Sequence, residues 1–329
     1  MRKKLLAGIL ALALCSTNMP LQTIFAEEFT SGNSDVVSEE ETPKIFTNEE
    51  QETAGETDEE LSVFSSEEVP EFNDAPDEAM AAAENEQAGE IDLADNDKVT
   101  KGVYTIKSAG NHKFICSQET GNRIVVDGRN ILAGANINIY LNNVNINTFA
   151  GPALQIRGNV EAAVTIHLTG TNNLITKYTY SAGLQKDNEA PLIIKTNDSD
   201  TTAGILNARS INGDGAGIGG GGYFSCSNIT IKSCSVIASS KYGAGIGGGK
   251  QGIGSNITIK SASVTASSTD GAGIGGGGYG ADSGRGSGSD ITINSSSVTA
   301  SSTNGDGIGG GYGYGGSCEN ITINGGSVI

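Results

Sequence analysis

Two sets of residues have the types and spacing for chemistry. The stretch "KDNEAPLIIKTNDSDTT" carries Asp187, Glu189, Asp198 and Asp200. Hard carboxylate oxygens gathered on loops can hold Ca2+, the cofactor this stretch suggests. Solvated turns are the other reading. The second set is aromatic. Tyr223, Tyr279, Tyr312 and Tyr314 come after glycine-rich segments at nearly one offset, and Lys250 takes that place in another copy. Tyrosine offers a rigid apolar ring with a hydroxyl tip, which suits stacking on sugar rings. The competing reading is that these rings merely cover glycine-rich backbone.

Other chemistry lacks parts. "GAGIGG" spells G-x-G-x-x-G at Gly215, Gly217 and Gly220, but a strand comes after it instead of the helix a dinucleotide site needs. "GGYGAD" begins a calcium-repeat pattern that reaches Asp282, then fails because Gly284 stands at the apolar position. His112 and His167 are the only histidines, and His167 in "VTIHLTG" is expected to face outward from a strand. There is no G-x-S-x-G nucleophile elbow. No stripe of basic and aromatic residues suggests a nucleic-acid partner.

The elements that must position these residues come from a repeat. "NITIK" at Asn228 and Asn256, "DITIN" at Asp290 and "NITIN" at Asn320 each precede a second run, "SVIASS", "SVTASS", "SVTASS" and "SVI". Each first run comes after "GAGIGGG" (215–221, 243–249, 271–277) or "GDGIGGG" (305–311). The period is about 28 residues, longer where "YGADSGRGSGS" is inserted. More worn copies lie upstream, with "ALQI" (153–156) and "AGLQ" (182–185) standing where GAGI stands later.

Alternation within the runs puts Ile229 and Ile231 inside, Thr230 outside, Val236 and Ala238 inside and Ile237 outside. Ile218, Ile246, Ile274 and Ile308 form one inward set, and Val236, Val264, Val298 and Val328 another. One repeat cannot bury its apolar face, but stacked repeats share a core. The expected fold is all-β: a right-handed parallel β-helix of about seven coils, with glycine at its corners. Stacking also predicts an amide ladder at Asn228, Asn256, Asp290 and Asn320, and a flat outer column at Thr230, Thr258, Thr292 and Thr322 beside Lys232 and Lys260. Such a threonine array could order ice-like water, but the lysines argue against it. Cys226 and Cys318 fall three coils apart, too far to bridge.

The chain begins with "MRKK" and "LLAGILALAL", then "TIFAEE", which reads as a signal peptide over 1–26 and implies secretion. Residues 27–97 hold about 25 carboxylates and one cation, Lys44, the composition of a disordered linker. Residues 98–329 form the expected repeat domain, with charges that nearly balance and no apolar run long enough to span a membrane. The ending "GGSVI" falls inside a strand, so the chain reads as a piece of a longer protein. A C-terminal region past Ile329 could then hold it at the cell wall.

"NITIKSASVTASSTDGAGIGGG" resembles the repeats of secreted β-helical surface proteins of Gram-positive bacteria, and the carbohydrate-binding β-helix family related in shape to pectate lyases. The likeness covers roughly 131–329 and its matching residues are scaffold residues. It implies a non-catalytic module that binds polysaccharide or host glycan, in some members with calcium. A passive adhesin stalk is the alternative. A polysaccharide lyase is a weaker third, because the regular coils put Thr, Ser, Asn and Lys where clustered carboxylates and a base would be needed.

Overall fold

The structure is a computed structural model that describes residues 89–279, 286–313 and 316–329. The expected signal peptide and most of the acidic segment lie outside the described residues. The rest is a parallel β-solenoid of about seven stacked coils. Its strands form a fourteen-stranded sheet and an eight-stranded sheet, and every named strand pair is parallel. The first coil starts ahead of Lys98: Ile91–Asp92 pairs with Gly110–Ile115, and Leu93 is fully buried. That buried leucine closes the end of the core, so the fold reaches into the tail of the acidic stretch.

Each regular coil has a first run, a second run and a narrow face. Adjacent copies stay in register, with Ile229, Ile231 and Thr230 paired to Ile257, Ile259 and Thr258. Val236 and Ala238 pair to Val264 and Ala266 in the second run. Inward positions of the interior coils are buried and Ile237 is exposed, as alternation requires, whereas in the last copy Ile308, Ile321 and Val328 are only partly covered and Ile323 is exposed. The two long faces belong to one sheet because Gly288–Ser302 runs through the corner as a single bent strand, pairing Gly254–Lys260 with its first half and Ser263–Ser268 with its second.

The corners explain the polar sequence. Asn228, Asn256, Asp290 and Asn320 all have φ between 48° and 58°, the left-handed region that Asn and Asp tolerate best. The Asn256 amide reaches the Asn228 side-chain oxygen, and Asn320 Nδ2 donates to Asp290 Oδ1 at 2.9 Å. A second left-handed column, Ser233, Ser261 and Ser295, separates first run from second run. At the next corner the hydroxyls of Ser240, Ser268 and Ser302 donate to the carbonyls of Gly215, Gly243 and Gly271 at 2.6–2.7 Å.

The narrow face is shorter than a conventional strand face. Its regular copies pair over only two residues, Ile246–Gly247 with Ile218–Gly219 and Ile274–Gly275. The chain then doubles back: Ala216 N donates to Gly220 O at 2.9 Å, and the equivalent bond recurs at Ala244 and Ala272. The glycine after each isoleucine makes this turn, with φ near 134° at Gly219 and Gly247. A Cβ on Gly247 would lie 2.1 Å from the Gly275 carbonyl oxygen. The turn brings the loops on either side of the narrow face against one another.

Candidate functional site

Those touching loops build an aromatic edge. Gly222 N donates to Tyr180 O, Lys250 N to Asp214 O, Gly278 N to Tyr242 O and Tyr312 N to Asp270 O, at 2.6–2.8 Å. Within the later loop column Tyr223 N donates to Lys250 O at 3.1 Å, and Tyr279 N to Tyr312 O at 2.9 Å. Tyr223, Lys250, Tyr279 and Tyr312 therefore succeed one another along the solenoid axis, with coils about 4.8 Å apart. Tyr314 lies outside the described residues.

Lys250 is the centre of this edge. Its Nζ sits 4.2 Å from the Tyr279 ring centroid, 5.1 Å from Tyr242 and 5.4 Å from Tyr223. It also pairs with Asp214 Oδ1 at 3.4 Å, both side chains being largely buried. Burial works against its charge, but the Tyr223 hydroxyl and the Asp214 carboxylate outweigh it and hold its pKa above the ordinary lysine value. The ammonium is thus a fixed cation that orders rings on three coils. The rings keep open surface: Tyr223 is 50% exposed and Tyr279 40%. Tyr180, whose ring lies 6.3 Å from that of Tyr223, extends the edge.

Tyr180, Tyr242 and Asp214 were not visible as members of this edge in the sequence. They precede the narrow face instead of coming after it. Only the doubled-back turn brings their loops alongside the later column. The recurring offset of Tyr and Lys from GIGGG revealed one column, and variable spacing upstream hid the other.

The four carboxylates do not come together. Asp187 and Glu189 precede the strand Leu192–Thr196, and Asp198 and Asp200 come after it. Asp187 Oδ2 accepts from Gln155 Nε2 at 2.7 Å and its two oxygens from Gln185 Nε2, while burial pushes its pKa up. Asp187 and Glu189 border a cavity of about 300 Å³ with Ser225, Cys226 and Ser255. Asp198 and Asp200 border a separate cavity with Thr196 and Thr201, and Asp198 pairs with Lys195 at 2.5 Å. Among the described residues, no group of three or more His, Cys, Asp or Glu side chains converges. The expectation for Asp282 lies outside the described residues.

One polar residue differs from expectation, and another is buried without any sign of it in the repeat. His167 occupies an outward strand position but is only 6% exposed, because Tyr140 on the adjacent strand stacks on it at 4.3 Å. Lys186 faces the core at the register position of Ile156, with Nζ donating to Asn188 O at 2.6 Å. Cys116, Cys226, Cys234 and Cys318 are all free thiols.

The fold and this edge define the class: a parallel β-solenoid with an aromatic margin on its narrow side. No protein-family model, curated protein or solved structure matches the chain. The resemblance therefore rests on the repeat motif alone, and the structure supports its coarser part, a parallel β-solenoid.

Proposed function

We propose that the chain is a secreted or cell-surface, non-catalytic carbohydrate-binding module that contacts polysaccharide or host glycan along its narrow edge. The observation that carries this reading is the column of half-exposed tyrosines ordered around the buried Lys250–Asp214 pair. A ring fixed before binding loses little entropy when a sugar stacks on it. Repetition along the axis lets one extended glycan touch several rings, each contact adding to the next.

A passive scaffold is the second reading, and one observation favours it. Lys250 uses ring faces of Tyr223, Tyr242 and Tyr279 internally. A glycan array probed with the full chain, in Ca2+ and in chelator, separates the readings. Saturable binding to a glycan class supports the module, and a requirement for Ca2+ supports a role for the loop carboxylates. Absence of binding on a broad array, in both buffers, supports the scaffold. Release of unsaturated product from polygalacturonate would instead support a lyase.

A further inference from the structure

The outer face of the first run carries a feature that the tyrosine edge does not use. Lys113, Tyr140, His167, Lys195, Lys232 and Lys260 pair in register, one on each of six successive strands. Lys195 has a carboxylate partner, Asp198. Among the described residues, Lys232 and Lys260 have no salt bridge or side-chain hydrogen bond, although they sit on neighbouring strands about 4.8 Å apart. Like charges on neighbouring strands oppose folding, and the one carboxylate within electrostatic reach of Lys232 among the described residues, Asp198, is already paired with Lys195.

A second row runs beside the first. Thr230, Thr258, Thr292 and Thr322 pair in register two residues before the lysine column and the asparagines, Asn294 and Asn324, that continue it. The ammonium row and the hydroxyl row are therefore parallel to the solenoid axis and about 7 Å apart. A flat face of this kind presents cations at regular intervals with hydroxyls alongside. Among the described residues, the one aromatic ring in this column, Tyr140, is stacked on His167 and offers no open platform for a run of nucleic-acid bases.

We propose that this face binds a linear polysaccharide that carries an anionic group on its sugars, laid along the axis. Its anions meet Lys232 and Lys260, and its ring hydroxyls meet the threonine row. The site is separate from the tyrosine edge and does not rest on the function proposed there. The net charge of −18 does not oppose it, because the acidic excess is confined to 27–97.

The test is affinity electrophoresis of the full chain through gels containing alginate, dextran sulfate or neutral dextran. Retardation by an anionic polymer and not by dextran is expected, weakening with salt. The alginate and dextran sulfate arms tell carboxylate from sulfate recognition. The double variant K232Q/K260Q should bind about tenfold more weakly or worse. It should melt no lower than wild type, since it relieves like-charge contact, and K232R/K260R should keep binding. The double variant K98Q/K107Q, which removes two exposed cations away from this row, should be retarded like wild type. The proposal is overturned by no retardation in either anionic gel, equal retardation by dextran, or retardation unchanged in K232Q/K260Q. Loss of retardation in K98Q/K107Q as large as that in K232Q/K260Q also overturns it, because it would mean that net charge and not this face is read.

Discussion

Single residues in this fold are constrained by a neighbour one coil away. Gly247 shows the strongest form of the constraint, since its φ of 134° and the Gly275 carbonyl both exclude a side chain. Gly247→Ala should therefore destabilise by about 2 kcal/mol or more. Gly121→Ala, whose Cβ would meet nothing closer than 3.9 Å, should stay within about 0.5 kcal/mol. Thermal melts of the two variants check this. Lys186 is constrained in the opposite sense, a charge-bearing group in an aliphatic column. Burial pushes its pKa down, against the pull of Cys226, Glu189 and Asp187. The unfolded chain then binds more protons at any pH between the lowered value and the ordinary one, so wild-type stability rises with pH through that window. Lys186→Met should raise the melting temperature at neutral pH, by about 1 kcal/mol of stability. Its advantage should shrink as pH approaches about 10.

At the scale of elements, the sequence disclosed what repeats and concealed what does not. The inward isoleucines, the Asn and Asp corners and the short isoleucine–glycine strand were legible because stacking demands the same side chain in the same place. The doubled-back turn was legible only as glycine content, since its Ala216–Gly220 closure uses backbone atoms alone. Hence the repeat carries no mark of Tyr180, Tyr242 and Asp214 as members of the edge. The outward position of His167 is legible but its burial is not, because its cover comes from Tyr140 on another coil. The early coils are joined less regularly, through Asp127. Its carboxylate accepts from Arg129 at 2.6 Å, Arg157 at 2.9 Å and Asn159 at 2.9 Å. Arg129 first, then Asn159, holds its pKa well below the usual carboxylate range. A lowered pKa contributes stability that is fully present above the ordinary carboxylate value and is lost as pH falls below it. Wild type should therefore lose melting temperature below about pH 4, and Asp127→Asn should flatten that slope while melting lower at neutral pH. Thermal melts followed by circular dichroism across that pH range check both.

The whole molecule is a stack, and its thiols report the stacking. Cys226, Gly254, Gly288 and Cys318 occupy one register column on successive strands. Cys226 is buried within the stack and burial pushes its thiol up to about 12, as it does for Cys234. Cys318 is exposed. Iodoacetamide at about pH 8 should label Cys318 in the native protein and reach Cys226 and Cys234 only after denaturation, as read by peptide mass spectrometry. Early labelling of Cys226 would mean that the coils do not stack in this register. A stack held in register gives each surface residue a set place along the axis, and the proposed glycan contact relies on that spacing of the tyrosines. The sharpest test of that edge is calorimetric titration of a glycan identified on the array into wild type and into Y223A/Y279A/Y312A. Wild type should bind saturably, and the folded variant should lose about a hundredfold in affinity or more. Equal affinity in the two proteins would mean that the tyrosine edge is not where the glycan binds.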